Sequence, residues 1–157
     1  MTKDTELLKC VILTLRKENV IVPNALVAEI ISVKDIQESK AGPAWMLGKM
    51  SWRGVDVPLL SFEAANGDKN VSKVNLNTQA VVLYAVGKNG ELNDSPYLGL
   101  VMSGVPHVSQ FNREQIAIDD EALEEHPMVA QKVRINGARV SILDVDAMVT
   151  MVAELAA

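Results

Sequence analysis

Apolar positions in this chain alternate far more often than they recur at helical spacing, and the clearest case is the stretch from Trp45 to Phe62. In its second arm Val55, Val57 and Leu59 alternate with Asp56, Pro58 and Leu60, the period of two expected of a strand with one buried face. In its first arm Met46, Gly48, Met50 and Trp52 fall on one side and Leu47, Lys49 and Ser51 on the other, so the mostly apolar side faces the core. Arg53-Gly54 joins the arms. The glycine can take positive φ, and the tight turn carries the Arg53 guanidinium into solvent. The stretch reads as a β-hairpin with a charged corner. Pro58 cannot donate to a ladder, which predicts an edge or a bulge at that part of the second strand.

The same reading extends along the chain. From Leu7 to Leu15, Val11, Leu13 and Leu15 share one face and Cys10 and Ile12 the other, which predicts a central strand covered on both sides. Arg16 to Asn19 turns into Val20-Ile21-Val22, and Pro23-Asn24 ends that strand. Ala25 to Ile31 reads as a helical turn followed by a short strand in which Glu29 is the only charge, set among Val27, Ile30 and Ile31. Glu29 has two readings, a carboxylate facing water at a strand edge or one that is paired and faces a partner. Lys34 to Lys40 is polar, and Ala41 to Trp45 is a loop leading into the hairpin. Glu63 to Thr78, rich in glycine and asparagine, is expected to be the most mobile internal segment. Gln79 to Val86 is an aliphatic strand. A loop runs from Gly87 to Pro96, Tyr97 to Met102 is a further strand, and Gly104 to Val108 makes a bend.

Near the C-terminus Gln131 to Ile135 and Ala138 to Ile142 flank Asn136-Gly137, both of which accept the positive φ of a type I′ turn. Val133 and Ile135 then face the core with Val140 and Ile142. Lys132, Arg134 and Arg139 form a basic strip on the outer face, read as edge protection. Asp144 caps a closing helix with Val145, Met148, Val149 and Val152 at i, i+3, i+4 and i+7. Many short strands, few helices and no βαβ alternation indicate a mainly β barrel or sandwich.

Composition narrows this picture. A chain of 157 residues suits one compact module or two very small ones and can bury roughly 70% of its unfolded surface without disulfides. Hydrophobic residues make up 48% but aromatics only 4%, so the core must be aliphatic. With 15 basic against 20 acidic residues the net charge of −5 argues against a nucleic-acid partner. The single Cys10 is read as core and fits a reducing compartment. No run of about 18 apolar residues and no signal cleavage site is present, so a cytoplasmic protein without membrane insertion is expected. Glycine-rich phosphate loops, a Gly-x-Ser-x-Gly elbow and zinc spacings are also missing. His107 and His126 have no ligand partners at metal spacing, so both are assigned structural or surface roles, and the acidic run from Asp119 to Glu125 is read as a solvated face. Close acid pairs such as Asp35 with Glu38 or Asp144 with Asp146 are too common on soluble surfaces to mark a site. A protein that is not an enzyme and needs no cofactor or metal is expected.

The order Val27-Ala28-Glu29-Ile30, then Gly42-Pro43-Ala44-Trp45-Met46-Leu47-Gly48, then Trp52-Arg53-Gly54-Val55-Asp56-Val57-Pro58-Leu59-Leu60 resembles the CheW family of chemotaxis coupling proteins. In that family a val-x-glu-ile segment precedes a pro-x-x-x-x-gly turn and an asn-leu-arg-gly-x-x-x-pro hairpin. The likeness continues through Gln79 to Tyr84, Leu98 to Val101, Gly104 to Val108 and the Asn136-Gly137 hairpin, and so spans nearly the whole chain. Ser51-Trp52 stands where asparagine-leucine is usual and Ser61 where aspartate is common. These departures point to a divergent adaptor, of a chemosensory system governing pili rather than flagella.

The resemblance implies a single module over residues 1–157, built as two small five-stranded SH3-like barrels packed on a shared core with a C-terminal helix. It implies a non-enzymatic scaffold joining a CheA-type histidine kinase to the cytoplasmic tip of methyl-accepting chemoreceptors, with other CheW-like domains as further partners. Such binding uses backbone edges and an apolar groove rather than titrating residues. Carried over by position, Val27, Glu29 and Gly48 fall on the docking side, Arg53 at the hairpin corner near Glu29, and Val105 and Val108 in the groove between the barrels. Each has a plainer reading: Val105 and Val108 as core, Gly48 as backbone geometry, Arg53 as a turn residue. Two rival functions stay open. One is a small-ligand sensor or enzyme using the cleft between the barrels, whose sign would be a pocket of convergent polar groups with shifted pKa values. The other is a domain that once belonged to a larger kinase and joins CheW-like modules in rings.

Overall fold

The computed structural model describes residues 7–16, 18–39, 41–67, 74, 77–86, 92–121 and 125–155. Its strands are β1 (Leu8–Thr14), β2 (Asn19–Pro23), β3 (Val27–Ser32), β4 (Gln37–Glu38), β5 (Met46–Trp52), β6 (Val55–Leu60), β7 (Gln79–Val86), β8 (Leu92–Met102), β9 (His107–Phe111), β10 (Ile116–Ile118), β11 (Val129–Ile135) and β12 (Ala138–Leu143). The helices are α1 (Phe62–Ala65) and α2 (Val145–Leu155), with short 3-10 turns at Asn24–Leu26 and Arg113–Gln115. The strands form two sheets, β10-β11-β12-β2-β1-β9 and β3-β7-β8-β6-β5-β4. The very short β4 and β10 bring each to six strands rather than the five expected.

Both sheets curl into the expected SH3-like barrels. In the second, Trp52 at the end of β5 hydrogen-bonds Glu29 on β3, although β7, β8 and β6 lie between them in the sheet. A flat sheet would hold those strands four spacings, or about 19 Å, apart.

Strand alternation feeds three apolar clusters. Val11 and Leu13 of β1, Val20 and Val22 of β2, Leu60 of β6 and Val81 and Leu83 of β7 meet in one core shared by the barrels, which Met148 and Val149 of α2 cover. The opposite faces fill the barrel interiors, with Cys10 and Ile21 in the first and Val57, Leu59, Ala80 and Val82 in the second. Strands with both faces covered read as nearly continuous apolar runs. Cys10 is core, as expected, and burial pushes its thiol pKa up. Asp144 caps α2 by accepting from the Ala147 amide at 2.9 Å.

Several expectations change. Pro58 is buried inside the sheet, between β5 and β8, and not at an edge. The ladder to β8 begins only at Leu59, one residue later, and the bulge lies in β5 between Met46 and Gly48. β8 starts at Leu92 rather than Tyr97, and the polar Lys34 to Lys40 stretch contains β4. The segment after Phe62 opens with α1, capped by Ser61. The mobility expected there falls largely on residues 68–73 and 75–76, outside the described residues.

Candidate docking surface at the hairpin corner

The β5–β6 turn has φ of 48° at Arg53 and 77° at Gly54. Positive φ at both central positions is the type I′ arrangement, which favours Asn-Gly, and an arginine there costs on the order of 1 kcal/mol. The turn places Arg53 above the ring of Trp52, its guanidinium carbon 4.9 Å from the ring centroid. Glu29 arrives from the other side of the barrel seam. A bulge between Val27 and Glu29 in the β3–β7 ladder re-aims its side chain. Its Oε1 accepts from Trp52 Nε1 at 2.8 Å and from an Arg53 Nη at 3.3 Å. The two charged side chains remain 70% and 40% exposed, so their pairing adds at most about 1 kcal/mol to the fold.

Behind this pair lies an aromatic row. Tyr97 meets Trp52 edge to face at 4.7 Å, and Tyr84 lies 5.7 Å beyond Tyr97. Tyr84 is 41% exposed. Three of the six aromatic residues are gathered here, at the rim of the second barrel, while the shared core is built almost wholly from aliphatic side chains. Tryptophan, tyrosine and arginine at a partly exposed rim are the composition of a protein contact surface. Glu29 and Arg53 were legible beforehand. Trp52, Tyr97 and Tyr84 were missed, and the available signal was the scarcity of aromatics with one of them directly before the turn.

The other candidate residues separate. Gly48 is buried beneath β4, where a Cβ would overlap the Gln37 carbonyl oxygen, so its visible role is backbone clearance. Val27 is half-buried against the shared core. Val105 and Val108 are 69% and 59% exposed, which overturns their reading as core. Val108 pairs with Val11 across the β1–β9 ladder and so lies on the shared-core face, at the free edge of the first sheet.

The acidic run is solvated at Asp120, Glu121 and Glu125 as expected but not at Asp119, and the basic strip departs from its reading. Strands β11 and β12 are flanked on both sides, and their arginines are not edge protection. Arg134 and Arg139 lie opposite each other, and Asp119, whose side chain is 2% exposed, takes Nε of both at 3.4 and 3.3 Å. Glu121 accepts from both guanidiniums at 2.9 and 3.3 Å. A surface cavity of about 360 Å³ lies alongside, lined by Asp119, Glu125, His126, Gln131 and Lys132 among others. Two of its polar residues are already engaged within the chain. The Asp119 oxygens are taken by arginines, and both His126 nitrogens bond backbone groups. Among the described residues no three metal-type side chains converge, and no helix is long and apolar enough to cross a membrane.

Fold and corner together define a two-barrel β module whose distinctive side chains lie on its surface rather than in a cleft. The sequence model of the CheW-like domain matches residues 9–153, and the chain belongs to that family. Among solved structures it is similar to the scaffolding protein TtCheW from Thermoanaerobacter tengcongensis, with a TM-score of 0.68 over 88% of this chain and 89% of that one. The two share 15% sequence identity, so the likeness speaks for the fold alone. No curated protein matches the sequence.

Proposed function

We propose that this protein is a non-enzymatic scaffold that couples chemoreceptors to a CheA-type histidine kinase in the cytoplasm, in an array serving a pilus system. Membership of the CheW-like family supports the adaptor class, and the Glu29–Trp52–Arg53 corner carries the proposal for this chain. An exposed cation that lies over Trp52 and makes one long contact to a half-exposed acid contributes little to folding, yet the turn holds it in a conformation that arginine disfavours. That combination suits a group whose remaining donors are completed by a partner. Val108 extends the face of the shared core into solvent, and it and the exposed Val105 are assigned to the receptor, while Val27 and Gly48 support the docking side through the path of β3 and β4.

Arg53→Glu tests this reading. It should melt near wild type and bind kinase or receptor tip at least about tenfold more weakly, a loss of 1.4 kcal/mol, in calorimetric titration against each. Unchanged affinity for both, with the fold intact, would place the functional surface elsewhere.

A further inference from the structure

His126 is 7% exposed and engaged on every side. Its ring stacks on Phe62 at 3.9 Å with planes 14° apart. Nε2 lies 2.7 Å from the Phe62 carbonyl, and Nδ1 lies 3.0 Å from the Met128 amide. Because the carbonyl can only accept and the amide only donate, the ring is the neutral tautomer with hydrogen on Nε2. These bonds join separate parts of the molecule. Phe62 opens α1 after the second barrel's β6, His126 and Met128 lie between β10 and β11 of the first, and the Met128 carbonyl accepts from the amide of Asp144, which caps α2.

We propose that His126 is an acid-operated clasp between the two barrels: neutral, it holds residues 125–128 against α1 and the start of α2, and protonated at Nδ1 it releases the Met128 amide and loosens that strap. Two hydrogens cannot share the position between Nδ1 and the Met128 nitrogen, so the added proton removes the acceptor and leaves a charge stacked in an apolar core. The surface cavity beside the ring supplies the route by which water delivers the proton. Burial is the main influence opposing the charge, and Lys132 of β11 adds to it. The Phe62 carbonyl, Glu18 between β1 and β2, and Glu63 of α1 favour the charge and offset part of that lowering. Of the acids lining the cavity, Asp119 is already committed to Arg134 and Arg139, and Glu125 is exposed.

The direction with pH follows from the lowered pKa. An unfolded or released His126 titrates near 6.5 and binds more protons than the clasped one, so the clasp's contribution is complete above about pH 6.5 and is lost as pH falls below it. The test is NMR of the full chain from pH 7.5 to 5, following the imidazole nitrogens of His126 and amide exchange, corrected for intrinsic pH dependence. Hydrogen should reside on Nε2 at neutral pH, and the midpoint should lie below 6.5. Protection of the Met128 amide should fall at least tenfold across that titration, while Val81 and Leu83 in β7 keep theirs. Protection of Met128 that does not follow the titration overturns the proposal. So does loss of Val81 protection in the same step, which would be acid unfolding rather than a clasp. His126→Gln keeps a donor and an acceptor but cannot titrate, so it should abolish the pH dependence at Met128, and persistence of that dependence would assign it to another group.

Discussion

At the β5–β6 corner and at the β11–β12 corner the first two turn residues both take positive φ, 48° and 77° at Arg53-Gly54 and 51° and 88° at Asn136-Gly137. Asn136 is at ease there, because its short side chain tolerates the left-handed region, whereas Arg53 is not. The charges differ in the opposite sense. In the first barrel Arg134 and Arg139 face each other across the ladder, a repulsive arrangement that a buried Asp119 and Glu121 neutralise on the spot. In the second, Arg53 stands mostly in water, lying over the Trp52 ring and making one charged contact, to Glu29 at 3.3 Å. One corner has relaxed backbone and closed electrostatics, and the other has strained backbone and open electrostatics. Charges whose partners all lie within the chain serve the fold. A charge held in strain with donors to spare is placed for another molecule.

The comparison requires both corners to stand on one core, and Leu13→Ala attacks that premise hardest. Leu13 is wholly buried in the shared cluster, so its truncation should cost about 2–5 kcal/mol. Calorimetry should show one cooperative transition at lower temperature, and two separated transitions would mean the barrels fold independently. Next comes Asp119→Asn, which leaves Arg134 and Arg139 facing each other with half their compensation. Because both arginines can still reach water, the loss should be about 2 kcal/mol in urea unfolding, partly recovered in high salt. Affinity for partners should not change; a large loss of binding would make this corner functional too. The smallest effect on stability is the sharpest test. Arg53→Asn relieves the turn and should raise stability by about 1 kcal/mol while weakening partner binding at least tenfold. A variant that is both less stable and fully competent to bind would invert the assignment of that corner.

Much of the architecture was legible because it depends on near neighbours. Period-two alternation marked the central hairpin and the first strand, a continuous aliphatic run marked β7, Asn136-Gly137 and Arg53-Gly54 marked their turns, and Asp144 with its apolar repeat marked α2. The corner was half legible: Glu29 and Arg53 stood out as charges beside apolar runs and drew support from the family resemblance, but Trp52 looked like ordinary strand core.

What alternation cannot say is what lies across a strand's second face or which strands meet when a sheet closes. Accumulated twist and register bring β3 to β5, and only that closure turns Glu29, Trp52 and Arg53 into one cluster. Pro58 reads as an edge residue because proline lacks a donor, yet it sits in an interior strand, since the pairing with β8 starts one residue later. The acidic run looked solvated because aspartates usually are. Asp119 is buried because two arginines, 15 and 20 residues along the chain, converge on it once β11 and β12 pair. His126 was open to a structural or a surface role, and a carbonyl 64 residues away makes it a buried link between barrels. Local composition therefore determined the elements and their turns, and long-range closure decided which charges are buried, which are paired and which are left for a partner.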